Sequence, residues 1–235
     1  MKNLVIPDVH NKHVIAQRII ESAPHDQITF LGDYFDDFGD KPDDVRATAH
    51  WLKKITGKKI MGNHDLSYRW WTNQSLACSG HTGAKRLAIN DVLDKQDWDA
   101  MVAYVVVDGW LLSHAGFQPQ LLPMLDGQIN ETTLAETWEK CVASLHNGMR
   151  HPWAKVSRYR GGIDAVSGPF WCDWREFMPT ENVKQMFGHT PDTLPRYERG
   201  YKTETYCIDT HLHHYAIIED GAVTVHTTPP KFFKK

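Results

Sequence analysis

The sequence predicts an α/β fold built on parallel strands, and three observations predict it. Over the first 65 residues, short apolar runs alternate with segments whose apolar residues recur at helical spacing, the pattern of βαβ units. Motifs rich in Asp, His, Asn and Gly stand directly after those runs, at the strand ends where ligands gather in such sheets. Hydrophobic residues make up 41% of the 235 and charged residues 23%, ordinary globular usage that allows a sizeable core.

The elements follow in order. Leu4-Val5-Ile6 is a buried strand closed by Pro7. His13 to Ser22 is a helix, with Val14, Ile15, Ile19 and Ile20 at helical spacing. Gln27 to Leu31 is the second strand, Asp43 to Ile55 the second helix, and Lys58 to Met61 the third strand. Arg69 to Gly83, aromatic and then polar, reads as a loop over a site, and Ala84 to Trp98 as one helix. Tyr104 to Val107 and Trp110 to Leu112 flank Asp108-Gly109, a hairpin signal. Thr132 to Leu145 is a helix closed by Asn147-Gly148, and His151 to Trp174 has no clean period. Val183 to Phe187, Tyr206 to Ile208, His214 to Ile218 and Ala222 to Val225 are strands, the last two joined by Asp220-Gly221. The tail from Thr227 to Lys235 is expected to fray. Without a linker, repeat or low-complexity tract, one domain over 1–235 is the simplest organisation.

Bulk chemistry narrows the class. A net charge of −3 leaves no electrostatic footprint for nucleic acid or an anionic membrane. Cys78, Cys141, Cys172 and Cys207 form no CxxC pair, so free thiols in a reducing compartment are expected. The first residues lack the apolar stretch of a signal peptide, and no segment approaches the ~20 apolar residues that span a bilayer. A cytoplasmic protein is expected.

Five motifs carry the chemistry. Asp8-Val9-His10 follows the first strand, Gly32-Asp33-Tyr34-Phe35-Asp36 the second and Gly62-Asn63-His64-Asp65 the third. Ser113-His114-Ala115-Gly116 follows the hairpin, and Gly188-His189-Thr190-Pro191 follows Val183 to Phe187. Any one alone is weak, since an Asp or His after a strand is usually a cap or a satisfied polar group. Together they supply carboxylates and imidazoles at five strand ends, the donor set of a site for two metal ions.

This set, DVH, GDYFD, GNHD, SHAG and FGHT, resembles the calcineurin-like metallophosphoesterase superfamily, from Asp8 to His189. The resemblance implies a four-layer α-β-β-α sandwich. It is closest to the phosphoprotein phosphatase and symmetrical diadenosine tetraphosphatase branches. Many phosphodiesterase branches end instead in a GHxH pair, and here that second histidine is replaced by Pro191. Carried over by position, Asp8 and His10 would bind one metal, Asn63, His114 and His189 the other, and Asp33 would bridge. His64 resembles the catalytic histidine and Asp36 the acid that orients it. Two divalent ions would clamp the phosphoryl group and lower the pKa of a bridging water, whose hydroxide would attack phosphorus in line. His64 would protonate the leaving group as general acid. Manganese is the first expectation, with iron, zinc, cobalt or nickel also suited to mixed O and N donors.

Departures matter as much. Phosphoprotein phosphatases often carry arginine directly after GDxxD, and this chain has Asp37. Replacement cations are expected among Arg69, Arg160 and Arg175, with Arg158 also at hand; arginine forks match phosphate oxygens. Asp173 is read as structural, orienting a metal ligand from behind. The IDTG-like Ile208-Asp209-Thr210 ends in His211 instead of glycine. Trp70, Trp71, Trp171 and Trp174 either stack on an aromatic leaving group or pack the loops. The expected activity is hydrolysis of phosphomonoesters or phosphoanhydrides, on a small phosphorylated substrate or nucleotide, with a phosphoprotein as a further substrate. A phosphodiesterase or nuclease is the alternative. A non-catalytic binding module is disfavoured because every ligand position and His64 are filled.

Overall fold

A computed structural model describes residues 1–234. Its order begins as the sequence predicts, with β1 (Lys2–Ile6), α1 (His13–Ser22), β2 (Gln27–Phe30), α2 (Pro42–Lys54) and β3 (Lys58–Lys59). β1 pairs parallel to β2, and β2 parallel to β3. Strand side chains alternate between faces. Leu4 and Ile6 therefore join Ala16, Ile19, Val45, Ala49 and Leu52 of the helices, while Val5 turns to the opposite core. The third strand is shorter than expected, and Ile60 adds only an isolated bridge to Val102.

α3 (Asn63–Arg69) starts inside the third motif. The single helix expected from Ala84 to Trp98 is two, α4 (Gly83–Asn90) and α5 (Lys95–Asp99). Asp94 accepts from Gln96 N and Asp97 N, so an N-cap interrupts the apolar period.

The second sheet contains β4 (Tyr104–Val107), β5 (Trp110–Ser113), β6 (Lys184–Phe187), β7 (Arg196–Gly200) and β8 (Thr203–Cys207), in the order β4-β5-β6-β8-β7. α6 (Glu131–His146), between β5 and β6 in the chain, buries Leu134, Cys141 and Leu145 with Leu111 of β5. β9 (His214–Glu219) and β10 (Ala222–Thr227) return to the first sheet, which runs β10-β9-β1-β2-β3. At both Asp-Gly turns the two residues have positive φ, 47° and 81° at Asp108-Gly109 and 52° and 78° at Asp220-Gly221. That is the hairpin geometry those dipeptides favour. β7 has no counterpart in the sequence reading, because most of this edge strand is exposed and shows no apolar alternation.

The two sheets meet face to face. Val5, Leu31, Ile60, Ala216 and Ile218 from one side pack with Trp110, Leu112, Met186 and Ile208 from the other, each Val, Leu, Ile or Met side chain contributing ~1.5–3 kcal/mol through burial. Helices cover the outer faces, giving the α-β-β-α layering. The tail does not fray: the Thr228 hydroxyl donates to Leu212 O at 2.6 Å, and Arg18 of α1 donates to Phe232 O at 2.6 Å. Lys235, the last residue of that stretch, lies outside the described residues. No helix among the described residues is long and apolar enough to cross a membrane.

Candidate metal centre

The loops after β1, β2, β5 and β6 and the first turn of α3 converge at one end of the two sheets. Val9 N and His10 N both donate to Asp33 O, at 3.0 and 2.8 Å, and Gly188 N donates to His114 O at 2.8 Å. Buried Asp65 ties the second motif to the third, accepting from Gly62 N and Asp33 N at 2.8 Å each and from Tyr34 N at 3.1 Å. The φ values of His10, Asp33, Asp36 and His189 are 42°, 48°, 67° and 68°. Non-glycine residues seldom sit there, so the surrounding structure must hold them. Two motif glycines have a direct reason. A Cβ on Gly62 would run into the Asp33 carboxylate, and one on Gly188 into that of Asp8.

Backbone carbonyls fix the histidine tautomers. A carbonyl only accepts, so His10 Nδ1–H donates to Asp36 O at 2.7 Å, and His114 Nδ1–H donates to Leu31 O at 2.9 Å. Each Nε2 is then a lone-pair end. His10 Nε2 lies 3.9 Å from Asp8 Oδ2 and 3.8 Å from Asp33 Oδ2. His114 Nε2 lies 2.9 Å from Asn63 Oδ1, 3.0 Å from His189 Nδ1 and 3.4 Å from Asp33 Oδ2. The Asn63 amide is turned this way by Cys78, whose Sγ lies 3.3 Å from Asn63 Nδ2. Two acceptor-rich clusters thus share Asp33: Asp8, His10 and Asp33 on one side, and Asp33, His114 and His189 on the other.

Acceptors facing acceptors, buried, are favourable only with positive charge between them. Asp8, Asp33 and Asp209 are each no more than 2% exposed. Burial, reinforced by Asp209, raises the Asp8 carboxyl well above its usual range. Burial would raise Asp33 too, but the His114 and His64 rings outweigh it and hold it low. His114, which burial alone would lower, is pushed up to about 9 by Asp33. His189 is held low by burial and by His114. With protons alone, this arrangement forces imidazolium onto His114 to satisfy Asp33. A divalent cation in each cluster satisfies the same lone pairs, so the residues present fit metal binding.

Beside the clusters, His64 Nδ1–H donates to Asp36 Oδ2 at 2.9 Å, and His64 N donates to Asp33 Oδ1 at 2.9 Å. The His64 ring stands edge-on to that of His10, with centroids 5.3 Å apart. Asp36 Oδ1 accepts from Tyr68 OH at 2.6 Å and from Lys85 Nζ at 3.0 Å. A cleft of about 380 Å³ opens over these groups, walled by Ala77, Cys78 and Ser79 on one side and by Arg160, Trp171, Pro191 and His211 elsewhere.

The arginines divide. Arg160 lines the cleft: its Nη2 donates to His189 O and Thr190 Oγ1, both at 3.0 Å, and it pairs with Asp173 at 3.0 Å. Arg69 and Arg175 do not face the cleft. Arg69 pairs with Asp99 at 2.6 Å and donates to Trp98 O at 2.9 Å, its guanidinium 4.2 Å from the Trp70 ring. Exposed Arg175 pairs with Asp173 at 2.8 Å, and Arg158 is exposed. Asp173 therefore pairs with Arg160 and Arg175, and not with a candidate metal ligand as expected. Asp37, the departure after GDYFD, is neutralised by Lys12 at 2.8 Å. Of the four tryptophans only Trp171 lines the cleft. Trp70 packs on Trp138 and Trp174 on Phe177, while Trp71 is exposed under Arg86.

Sequence reasoning assigned no role to Asp65, Cys78, Tyr68 or Lys85. Asp65 stands inside its own motif and was visible there. The others lie away from the motifs and are defined by what folds against them.

Comparisons with known proteins bear on the family and the fold. A family model described as calcineurin-like phosphoesterase matches residues 1–193. No curated protein matches the sequence. Among solved structures, the chain resembles a cold-active protein-tyrosine phosphatase of a psychrophilic Shewanella species, with 16% identity and a TM-score of 0.58 over 97% of this chain and 80% of that one. It also resembles a protein serine/threonine phosphatase from Saccharomyces cerevisiae, with 12% identity and a TM-score of 0.52 over 97% and 79%. At those identities the likeness speaks for the fold alone. The family match is different in kind, because it spans every motif from Asp8 through His189, and on that ground the chain belongs to the calcineurin-like phosphoesterase family and is a metal-dependent phosphoric ester hydrolase.

Proposed function

We propose that the cleft binds two divalent cations and hydrolyses phosphomonoesters or phosphoanhydrides. Asp8 and His10 hold one ion, Asn63, His114 and His189 hold the other, and Asp33 is shared. The observation that carries this reading is the approach of two imidazole lone pairs to Asp33 Oδ2, His10 Nε2 at 3.8 Å and His114 Nε2 at 3.4 Å. Manganese is the first candidate, with iron, zinc, cobalt and nickel compatible with the same O and N donors. When bound, such ions supply a Lewis-acidic clamp on the phosphoryl group and an activated water.

The chain's own residues supply the rest. With Nδ1–H committed to Asp36, His64 presents Nε2 to the cleft. Burial lowers the ring's pKa, but Asp33 and Asp36 outweigh it and raise it above the ordinary value. That favours the protonated form, which donates to the leaving oxygen. Arg160 keeps Nη1 unengaged by the described residues, while Asp173, His189 O and Thr190 hold the rest of the fork. It is placed to bind phosphoryl oxygens, a geometry guanidinium suits. A cleft of about 380 Å³ suits a small phosphorylated substrate or nucleotide, with a phosphoprotein side chain as second choice. Pro191, where diester-cleaving relatives carry a second histidine, argues against a nuclease. Free Cys78, Cys141, Cys172 and Cys207 fit a reducing compartment, the cytoplasm foremost.

The test joins metal analysis to a hydrolysis panel of phosphomonoesters, diesters, dinucleoside polyphosphates and a phosphopeptide. Two metals per chain and turnover of monoesters or anhydrides are expected. Asp33→Asn should lose metal and activity together. An intact protein without stoichiometric metal or turnover would overturn the reading, and a preference for diesters would replace the substrate class.

A further inference from the structure

Lys85 is out of place for a lysine. It sits on α4 and its side chain is only 7% exposed, and lysine is seldom buried unless paired. Each of its three ammonium donors has a partner: Asp36 Oδ1 at 3.0 Å, Gly80 O at 3.0 Å, and Asp40 Oδ1. Asp40 is held in turn by Asn11 Nδ2 at 2.6 Å. One carboxylate would suffice to neutralise a buried ammonium, and Asp40 provides it. The second partner is the oxygen of Asp36 opposite the one that holds His64. Asp36 has a left-handed backbone, φ 67°, and Gly80 packs against its side chain. Its carboxylate direction is therefore set by outside contacts, those of Lys85 and Tyr68 OH.

We propose that Lys85 is a positioning residue for phosphoryl hydrolysis: it holds Asp36 as an oriented carboxylate, so that Asp36 keeps the proton of His64 on Nδ1 and turns Nε2 to the leaving group. The inference rests on the general-acid reading of His64. Removing the ammonium leaves Asp36 Oδ1 with Tyr68 alone, frees the 36–40 and 78–82 segments to separate, and loosens the ring. Lys85 touches neither metal cluster, so its loss should act on leaving-group protonation and spare metal binding.

The test compares wild type, Lys85→Met, Lys85→Arg, His64→Ala and the double variant Lys85→Met/His64→Ala, each with its metal content measured. Substrates are p-nitrophenyl phosphate, whose leaving group needs little protonation, and phenyl phosphate, whose leaving group needs more. Lys85→Met is expected to keep wild-type metal and a near-normal KM, while its kcat on phenyl phosphate falls by about 10- to 100-fold and on p-nitrophenyl phosphate by clearly less. Lys85→Arg recovers part of the loss. The double variant is no slower than His64→Ala, because groups acting as a unit are not additive. Equal losses on both substrates, or losses that multiply in the double variant, overturn the proposal while leaving His64 in its role. If His64→Ala is itself indifferent to the leaving group, the general-acid reading fails first and takes the role of Lys85 with it. Should Lys85→Met not fold, Lys85→Gln, which can still donate but carries no charge, is expected to keep wild-type metal and to show the same greater loss on phenyl phosphate at smaller size, and an equal loss on both substrates overturns the proposal there too.

Discussion

At Gly188 the decisive quantity is a missing methyl group. Its Cβ would occupy the space of the Asp8 carboxylate, and His189 N donates to both oxygens of that carboxylate at 3.1 Å. Gly188→Ala should therefore displace Asp8 and weaken metal binding at least about tenfold, at a stability cost of about 1–3 kcal/mol. Metal titration and denaturant unfolding check this, and wild-type affinity in the variant would refute it. His64→Ala makes a contrasting prediction. It should keep its metal and lose about 10²–10⁴-fold in kcat on substrates with poor leaving groups. The eight candidate ligand and catalytic residues, Asp8, His10, Asp33, Asp36, Asn63, His64, His114 and His189, could be proposed from the sequence because each stands in a motif that follows an apolar run, where topology gathers side chains without further information. Arg69 was misread for a geometric reason. It lies five residues beyond His64 on α3, about 140° round the helix, so it turns away to Asp99. Lys85 was illegible because one lysine on an amphipathic helix looks solvated. What buries it lies 45 and 49 residues away in Asp40 and Asp36.

At the scale of elements, the short helical turn Pro152–Ala154 is capped by His151, whose Nδ1 accepts from Trp153 N at 3.2 Å. Only a neutral ring can accept there, and burial brings the His151 pKa down from 6.5 to about 4. A folded pKa below the unfolded one means that stability is fully present above pH 6.5 and is lost as pH falls toward 4. The loss should be on the order of 1–2 kcal/mol across that window, discounted for partial solvent access. His151→Asn keeps a capping oxygen and removes the titration. Urea unfolding at pH 7.5 and 5 should show wild type losing more stability than the variant, and equal losses would refute the assignment. Turn chemistry was the most legible feature at this scale, since Asp-Gly turns carry their geometry in two residues. The break between α4 and α5 was legible in principle, because Asp94 and Asp97 form a capping box. β7 was not, since its stability comes from pairing with β8 while most of its side chains face water. The tail was not either, because its order depends on Arg18 and Leu212 in other parts of the chain.

For the whole molecule, the consequential fact is that the donors come from both sheets. Asp8 follows β1 and Asp33 follows β2, whereas His114 follows β5 and His189 follows β6. An ion shared among Asp33, His114 and His189, as proposed, would therefore pin the sheets together at the end where loops, and not the apolar core, close the molecule. Without the ion, the same end buries acidic groups at a cost, since burial and Asp209 both oppose ionisation of Asp8. Metal should then act on global stability and not only on the loops, because residues of both sheets share one buried apolar cluster. Free metal at 100 times its dissociation constant adds about 2.7 kcal/mol by mass action, which for a chain of this size shifts Tm by about 5–11 °C. Calorimetry should show a single transition that a chelator moves down by that amount and added manganese restores. Asp33→Asn, with the shared carboxylate gone, should melt at one temperature with or without chelator. A chelator shift that persists in Asp33→Asn would place the stabilising ion elsewhere. Two separate transitions in the wild type, only one of them metal-sensitive, would mean that the ion holds one sheet and its loops instead of joining the two.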